Sequence, residues 1–158
     1  MEIKEKQGEH PFGDTGQIIA FVIFLIIWLS DSFFLKFSTM WSDYVSIYIR
    51  LAIAAIILAI SLYLLNASHK IVAGEHRPEM VVTDGVFKYL RHPLYMSALL
   101  FYMVFIFATF SLASFVFWIA IFIFYNYIAG YEEKIMEAKF GEDYALYKQK
   151  TGKWFLKL

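Results

Sequence analysis

Residues 94–130 read LYMSALLFYMVFIFATFSLASFVFWIAIFIFYNYIAG and contain no charged side chain. As one straight helix this stretch would be ~55 Å long, against a hydrocarbon core of ~30 Å. It therefore has to fold back on itself. Its only polar interruption near the middle is Thr109-Phe110-Ser111 with Ser114. That predicts a tight helical hairpin with arms over 94–110 and 112–130.

Two more apolar runs lie upstream. One covers 16–37, with Asp31 and Lys36 near its far end; the other covers 44–66, with Arg50 close to its start. The whole chain has 158 residues, of which 60% are hydrophobic, 20% aromatic and 18% charged. Soluble domains average about 45–50% apolar and about 25% charged residues. A small globular domain exposes a large share of its surface, and this composition could not cover such a surface with polar groups. The expected fold class is all-α: a polytopic membrane helix bundle of about four spans, ending in a helical hairpin. A soluble enzyme, a disordered chain and a nucleic-acid binder are disfavoured. The 14 basic and 14 acidic residues cancel, so no global electrostatic partner is implied. Without cysteine there are no disulfides, no thiolate metal ligands and no thiol nucleophile.

The reading is of one integral membrane domain over 1–158, with a polar loop over 67–93 and a polar tail over 131–158. The mixed charges before the first run, and the lack of a small-residue cleavage site after it, make that run a permanent span rather than a signal peptide. Four spans put both termini and the 67–93 loop on one side. Every lysine and arginine except Lys36 and Arg50 falls there, so the positive-inside rule places both termini in the cytoplasm. Asp31 and Arg50 both fall near the opposite ends of their spans, where pairing with each other is the favoured reading. So little interior in four short spans is compatible with a second copy of the chain as partner.

The two polar blocks flank the hairpin, so the fold must bring them to one membrane face. In the first, Asp84-Gly85 is a turn signal, and Pro93 suits the first turn of the third helix. Arg91 and His92 beside a helix N-terminus make either an anion site or a basic anchor in the lipid headgroups. In the second, Glu132 and Glu133 fall where the fourth helix leaves the bilayer. Either they begin a solvated extension, with Glu133, Lys134 and Glu137 on its wet face, or one of them holds a cation. Adjacent residues lie ~100° apart on a helix, so only one can face the bundle interior. Gly141 suits a helix C-cap, Tyr144 and Tyr147 share a face of a short last helix, and Trp154 and Phe155 look interfacial. Cationic Arg77, Arg91 and His92 opposite anionic Glu132 would suit a zwitterionic ligand. No phosphate-binding loop is present, and no metal site is expected from His69, Glu75 and His76.

Asp84-Gly85-Val86-Phe87-Lys88-Tyr89-Leu90-Arg91-His92-Pro93-Leu94-Tyr95, then Glu132-Glu133, then Phe140-Gly141-Glu142-Asp143-Tyr144-Ala145-Leu146-Tyr147 form an ordered set around an apolar hairpin. The set resembles the isoprenylcysteine carboxyl methyltransferase and phospholipid methyltransferase superfamily over about Arg77 to Thr151. The resemblance implies S-adenosylmethionine as methyl donor in a cytoplasmic pocket, and a lipid or lipidated small-molecule acceptor arriving from the membrane. Carried over by position, the donor contacts are Arg77, Asp84, Gly85, Val86, Phe87, Arg91, His92, Pro93, Tyr95, Ser97 and Glu132. Within that set Glu132 is expected on the ammonium, the Arg91-His92-Pro93 helix start on the carboxylate, and the Asp84–Phe87 turn on the adenosine.

Two departures from the family pattern matter. Ser97 stands where the family has glycine, and serine is still small enough for close approach. Prenylcysteine enzymes resemble one another in an arginine one turn before the paired glutamates, whereas this chain has Ile128-Ala129-Gly130-Tyr131. Asn126, Tyr127 and Tyr131 are then the candidates for orienting an acceptor. No catalytic base is identified. The competing readings are a nicotinamide-dependent sterol-type reductase, which usually has Asn where this chain has Leu94, and a non-catalytic membrane scaffold.

Overall fold

The computed structural model describes residues 13–72 and 80–155. Helix α1 (Gly13–Leu29) runs into a π-helical turn over Ser30–Leu35. A 3₁₀ turn at Met40–Tyr44 leads to α2 (Ile47–Val72). Another short 3₁₀ turn, Gly85–Lys88, precedes α3 (Pro93–Thr109), α4 (Leu112–Phe140) and α5 (Glu142–Lys150). Among the described residues, three segments are long and apolar enough to cross a membrane: Gly13–Leu35, Ile47–Ile71 and Leu112–Phe140. The α3 helix is equally apolar but shorter. The protein is an all-helical membrane bundle.

The charge-free stretch folds into the hairpin α3–α4. Pro93 occupies the first turn of α3, where its missing N–H leaves no orphan. Phe110 ends that helix in the left-handed region at φ 54°, with its N–H on the Ile106 carbonyl. Ser111 then caps α4 by accepting the Ser114 N–H at 3.2 Å. The helix ends around this turn account for both upstream charges, and here the expectation that Asp31 and Arg50 pair is wrong. Asp31 is buried against the positive N-terminus of α4 and accepts hydrogen bonds from Ser38 N at 2.9 Å, Ser38 Oγ and Ser111 Oγ. Ser38 Oγ in turn accepts the Ala113 N–H at 2.8 Å. Arg50 Nη1 donates to the Ala108 carbonyl at 3.1 Å, at the negative C-terminus of α3, and the guanidinium lies 6.0 Å from the Phe110 ring centroid. Each charge meets the helix end of opposite partial charge, so neither needs the other.

The core is aromatic and lies along α1, α3 and α4. Phe24, Leu99, Tyr102, Ile106, Ile121 and Tyr125 are buried together. Phe24 meets Tyr102 edge-on at 4.8 Å between ring centroids. The most extensive helix contact is α2 against α3. It is close because small residues face each other: buried Ser61 donates to the carbonyl of buried Ser97 at 2.9 Å. Contrary to the interfacial place its sequence position predicts, Trp154 is buried in the core cluster; of the two terminal aromatics only Phe155 is exposed. The Trp154 indole N–H reaches Asn126 Oδ1 at 3.0 Å, which satisfies the ring's one polar atom and lets it go inside.

Candidate functional site

From Leu112 to Glu132 is twenty residues of helix, ~30 Å of rise, so Glu132 and Glu133 sit one hydrocarbon thickness from the hairpin turn. The start of α3 comes back to the same level. A cavity of about 540 Å³ opens there, within the size range of small-molecule sites. Its apolar wall includes Leu65 and Ile71 of α2, Leu94 and Ala98 of α3, and Met136 of α4. Its polar lining is Asp14, Gln17, Arg91, His92, Tyr95, Glu132, Lys139, Tyr144 and Tyr147.

Among the residues expected to contact a donor, Phe87, Arg91, His92, Pro93, Tyr95 and Glu132 line this cavity. Asp84, Gly85, Val86 and Ser97 do not. Gly85 adopts φ 58°, a left-handed conformation that starts the 3₁₀ turn and swings Phe87 towards the cavity. Ser97 is committed to the α2–α3 contact instead. Arg77 lies outside the described residues, as do Glu75 and His76. The acceptor-orienting candidates Asn126, Tyr127 and Tyr131 are not among the lining residues. Asn126 holds the C-terminal segment: its carbonyl accepts Lys153 Nζ at 3.1 Å and its side chain accepts Trp154.

The two glutamates have separate jobs. Glu132 lines the cavity, and Tyr95 donates its hydroxyl to Glu132 Oε1. Of the two readings open for the glutamate pair, the solvated face does not hold for Glu133: it is buried, at 6% exposure. Its Oε1 accepts Arg91 Nε at 2.8 Å and lies 3.2 Å from His92 Nε2, and Lys148 Nζ is 3.6 Å from its Oε2. Burial of that carboxylate is offset because two basic residues arrive from the start of α3 and a third from α5. Arg91 also donates to the Lys148 carbonyl at 3.2 Å and to the Thr151 carbonyl, so it caps the C-terminus of α5. The Arg91 N–H bonds to the Gly152 carbonyl at 2.9 Å, within an isolated parallel bridge between Leu90 and Gly152. The tail is thereby tied across the start of α3.

The imidazole of His92 is fixed on all sides. It stacks on Tyr95 at 5.6 Å with 5° between planes, and Trp154 lies 6.0 Å away. Its Nδ1 lies 3.8 Å from Glu132 Oε2. Burial pushes its pKa below 6.5, against the opposing pull of Glu133. Burial likewise pushes the Tyr147 phenol up to about 12, and its hydroxyl donates to the Phe87 carbonyl at 2.7 Å. Both tyrosines of α5 are therefore neutral walls of the cavity, the Tyr144 phenol also being raised by burial.

Sequence reasoning named Glu133 only as one of two carboxylates that could hold a cation, and it missed Lys139 and the α1 residues Asp14 and Gln17. The available signal for Glu133 was its place in a carboxylate pair at the bilayer edge, where one member needs a cation. Nothing local marks Asp14 or Gln17, which the packing of α1 on α4 brings in.

Comparison with known proteins gives one positive result. A family model for phospholipid methyltransferases matches residues 45–143, from just after the 3₁₀ turn that precedes α2 to the start of α5. No curated protein and no solved structure matches the chain.

Proposed function

The chain belongs to the phospholipid methyltransferase family, and from that premise we propose that it is a membrane methyltransferase using S-adenosylmethionine on a lipophilic acceptor. The observation that carries the proposal is that Glu132 and neutral His92 line one cavity that also has a long apolar wall. A donor with an ammonium, a carboxylate and an apolar adenosine fits such a lining.

When bound, S-adenosylmethionine supplies a methyl group already activated by the sulfonium. Glu132, oriented by Tyr95, would hold the ammonium. The carboxylate would meet the start of α3, where the first amides have no partner within the helix. Arg91 contributes less charge there than its position suggests, because Glu133 already neutralises much of it. Phe87 is the member of the Asp84–Phe87 turn placed to pack on the adenosine. Leu65, Leu94, Ala98 and Met136 offer an apolar wall to an acceptor arriving from lipid, and keep water from the reacting atoms. The chain's main contribution is alignment, which supplies several kcal/mol without a covalent nucleophile. We further propose that this end lies at the cytoplasmic face, with both termini on that side and the chain acting as one integral membrane unit; the clustering of basic residues around it supports that reading.

The test is thermal stabilisation of purified protein by S-adenosylhomocysteine against NADPH. Stabilisation by the first alone supports the proposal; stabilisation by NADPH alone favours a reductase, and by neither a scaffold. Glu132→Gln should weaken S-adenosylhomocysteine binding in calorimetry, and labelled methyl transfer into a total lipid extract should reveal the acceptor.

A further inference from the structure

The bond between His92 Nε2 and Glu133 Oε1, 3.2 Å long, decides where the imidazole carries its proton. Glu133 already accepts from Arg91 and faces Lys148, so it is an anion with no proton to give. The shared proton must therefore belong to Nε2 of the ring. That leaves Nδ1 with its lone pair, in a side chain only 10% exposed, aimed to within 3.8 Å of Glu132 Oε2. A ring lone pair and a carboxylate are both acceptors, so a cationic donor placed between them would meet both. Stacking on Tyr95 and contact with Trp154 prevent the ring from turning away.

We propose that Glu133 is a positioning residue: it fixes His92 in the Nε2–H tautomer, so that Nδ1 joins Glu132 as a second acceptor for the ammonium group of the ligand. This rests on the reading that Glu132 holds the donor's ammonium. Two adjacent glutamates thus serve one cation, one by contact and the other through the imidazole.

The arrangement makes ligand binding sensitive to protonation of His92. Among the described residues, the charged and titratable groups around that ring are Arg91 at its side, Tyr95 on α3, Glu132 and Glu133 on α4, and Lys153 on the C-terminal segment. Burial keeps the ring neutral at neutral pH. Once protonated, Nδ1 becomes a donor and repels an ammonium. Affinity for S-adenosylhomocysteine should therefore fall as pH drops through the folded-state pKa of His92, which burial holds below the ordinary 6.5, whereas 5′-methylthioadenosine, which lacks the ammonium, should bind with no such dependence.

The test uses the full chain in lipid nanodiscs with ring-¹⁵N histidine, the His92 signals being assigned by their loss in His92→Gln. At neutral pH the wild type should show protonated Nε2 and unprotonated Nδ1. Glu133→Gln should show a mixture of tautomers, because an amide both donates and accepts. An imidazolium, or an Nδ1–H tautomer, in the wild type overturns the proposal without reference to any donor. In calorimetry His92→Asn, which keeps an acceptor near the Nδ1 position, should retain most S-adenosylhomocysteine affinity. His92→Gln, which keeps only the contact to Glu133, should lose about tenfold or more, the size expected for a hydrogen bond to a charged group. Equal losses in two variants of unchanged melting temperature overturn the role of Nδ1. Absence of binding by the wild type would remove the donor reading, while the ring spectrum would still decide the tautomer.

Discussion

The side chains of Glu132 and Glu133 leave α4 ~100° apart and reach different sides of His92: Glu132 Oε2 lies 3.8 Å from Nδ1 and Glu133 Oε1 lies 3.2 Å from Nε2. The first faces the cavity. The second is buried with Arg91, whose guanidinium also caps α5. One imidazole therefore joins the ligand-facing lining to the ion network that holds the tail in place.

That network should respond to charge deletion in an ordered way. Removing either partner of a buried ion pair leaves the other uncompensated and costs about 3–5 kcal/mol. Glu133→Ala and Arg91→Ala should each lower stability by roughly that amount, and Arg91→Ala should also loosen α5. The double variant Arg91→Met/Glu133→Leu should be more stable than either single one. Denaturant unfolding in mild detergent checks the order; a double variant as unstable as the sum of the singles would contradict it.

Acid should destabilise the protein through His92. Its pKa in the folded state lies below the ordinary 6.5, because the ring is buried. Between those two values the unfolded chain binds the extra proton and the folded chain does not, so stability rises with pH across that window. The contribution is fully present above about pH 6.5 and is lost as pH falls towards the folded-state value. Melting temperature against pH should show this fall in the wild type and a shallower one in His92→Gln.

Ser97 marks where the sequence is legible for one reason and the structure uses it for another. Smallness at this position is visible in the chain, and the family resemblance attaches it to the donor. Ser97 is buried at 3% exposure, and its carbonyl takes the Ser61 hydroxyl, so smallness serves the approach of α2 to α3. Ser97→Gly should cost no more than about 1 kcal/mol, the helix penalty of glycine, and leave the site intact. Ser97→Leu should cost about 1–3 kcal/mol through overpacking and separate the helices. Unfolding measurements on the two variants check this.

The hairpin was legible because a charge-free run longer than a bilayer has one physical solution, and Ser111 supplies the cap where polarity interrupts it. Asp31 and Arg50 were misread because proximity in the membrane suggested a pair, whereas helix ends at the hairpin turn were available to each. The tie of the tail was not legible: the Leu90–Gly152 bridge and the Arg91 bonds to Lys148 and Thr151 depend on backbone groups some sixty positions away, which carry no residue-type signal.

Asp31 should set the stability of the hairpin turn. Its carboxylate takes three hydrogen bonds from Ser38 and Ser111, and these join the end of α1 to the cap of α4. Hydrogen bonds to a charged group are worth about 1.5–3 kcal/mol each, and losing the acceptor also takes a partner from the buried Ser111 hydroxyl. Asp31→Ala should therefore cost about 3 kcal/mol or more, and Asp31→Asn less, since the amide oxygen keeps part of the set. Proteolysis near residues 36–44 should accelerate in Asp31→Ala, and comparable cleavage of wild type and variant would refute the link.

Ala98 separates the two halves of the proposed chemistry. It lies one turn deeper into the charge-free stretch than Tyr95, on the same face of α3, and both line the cavity. Tyr95 meets Glu132, whereas the wall around Ala98 is apolar. A large side chain at 98 would therefore intrude on the acceptor's side and leave the Glu132–His92 pair untouched. Ala98→Trp should raise the KM for a lipid acceptor by about tenfold, one lost apolar contact of 1–2 kcal/mol, with S-adenosylhomocysteine affinity within about threefold of wild type. Tyr95→Phe should do the reverse, weakening S-adenosylhomocysteine binding with little change in acceptor KM. If Ala98→Trp abolished S-adenosylhomocysteine binding while the protein still melted cooperatively, the apolar wall would belong to the donor, and an acceptor would have to enter by another route.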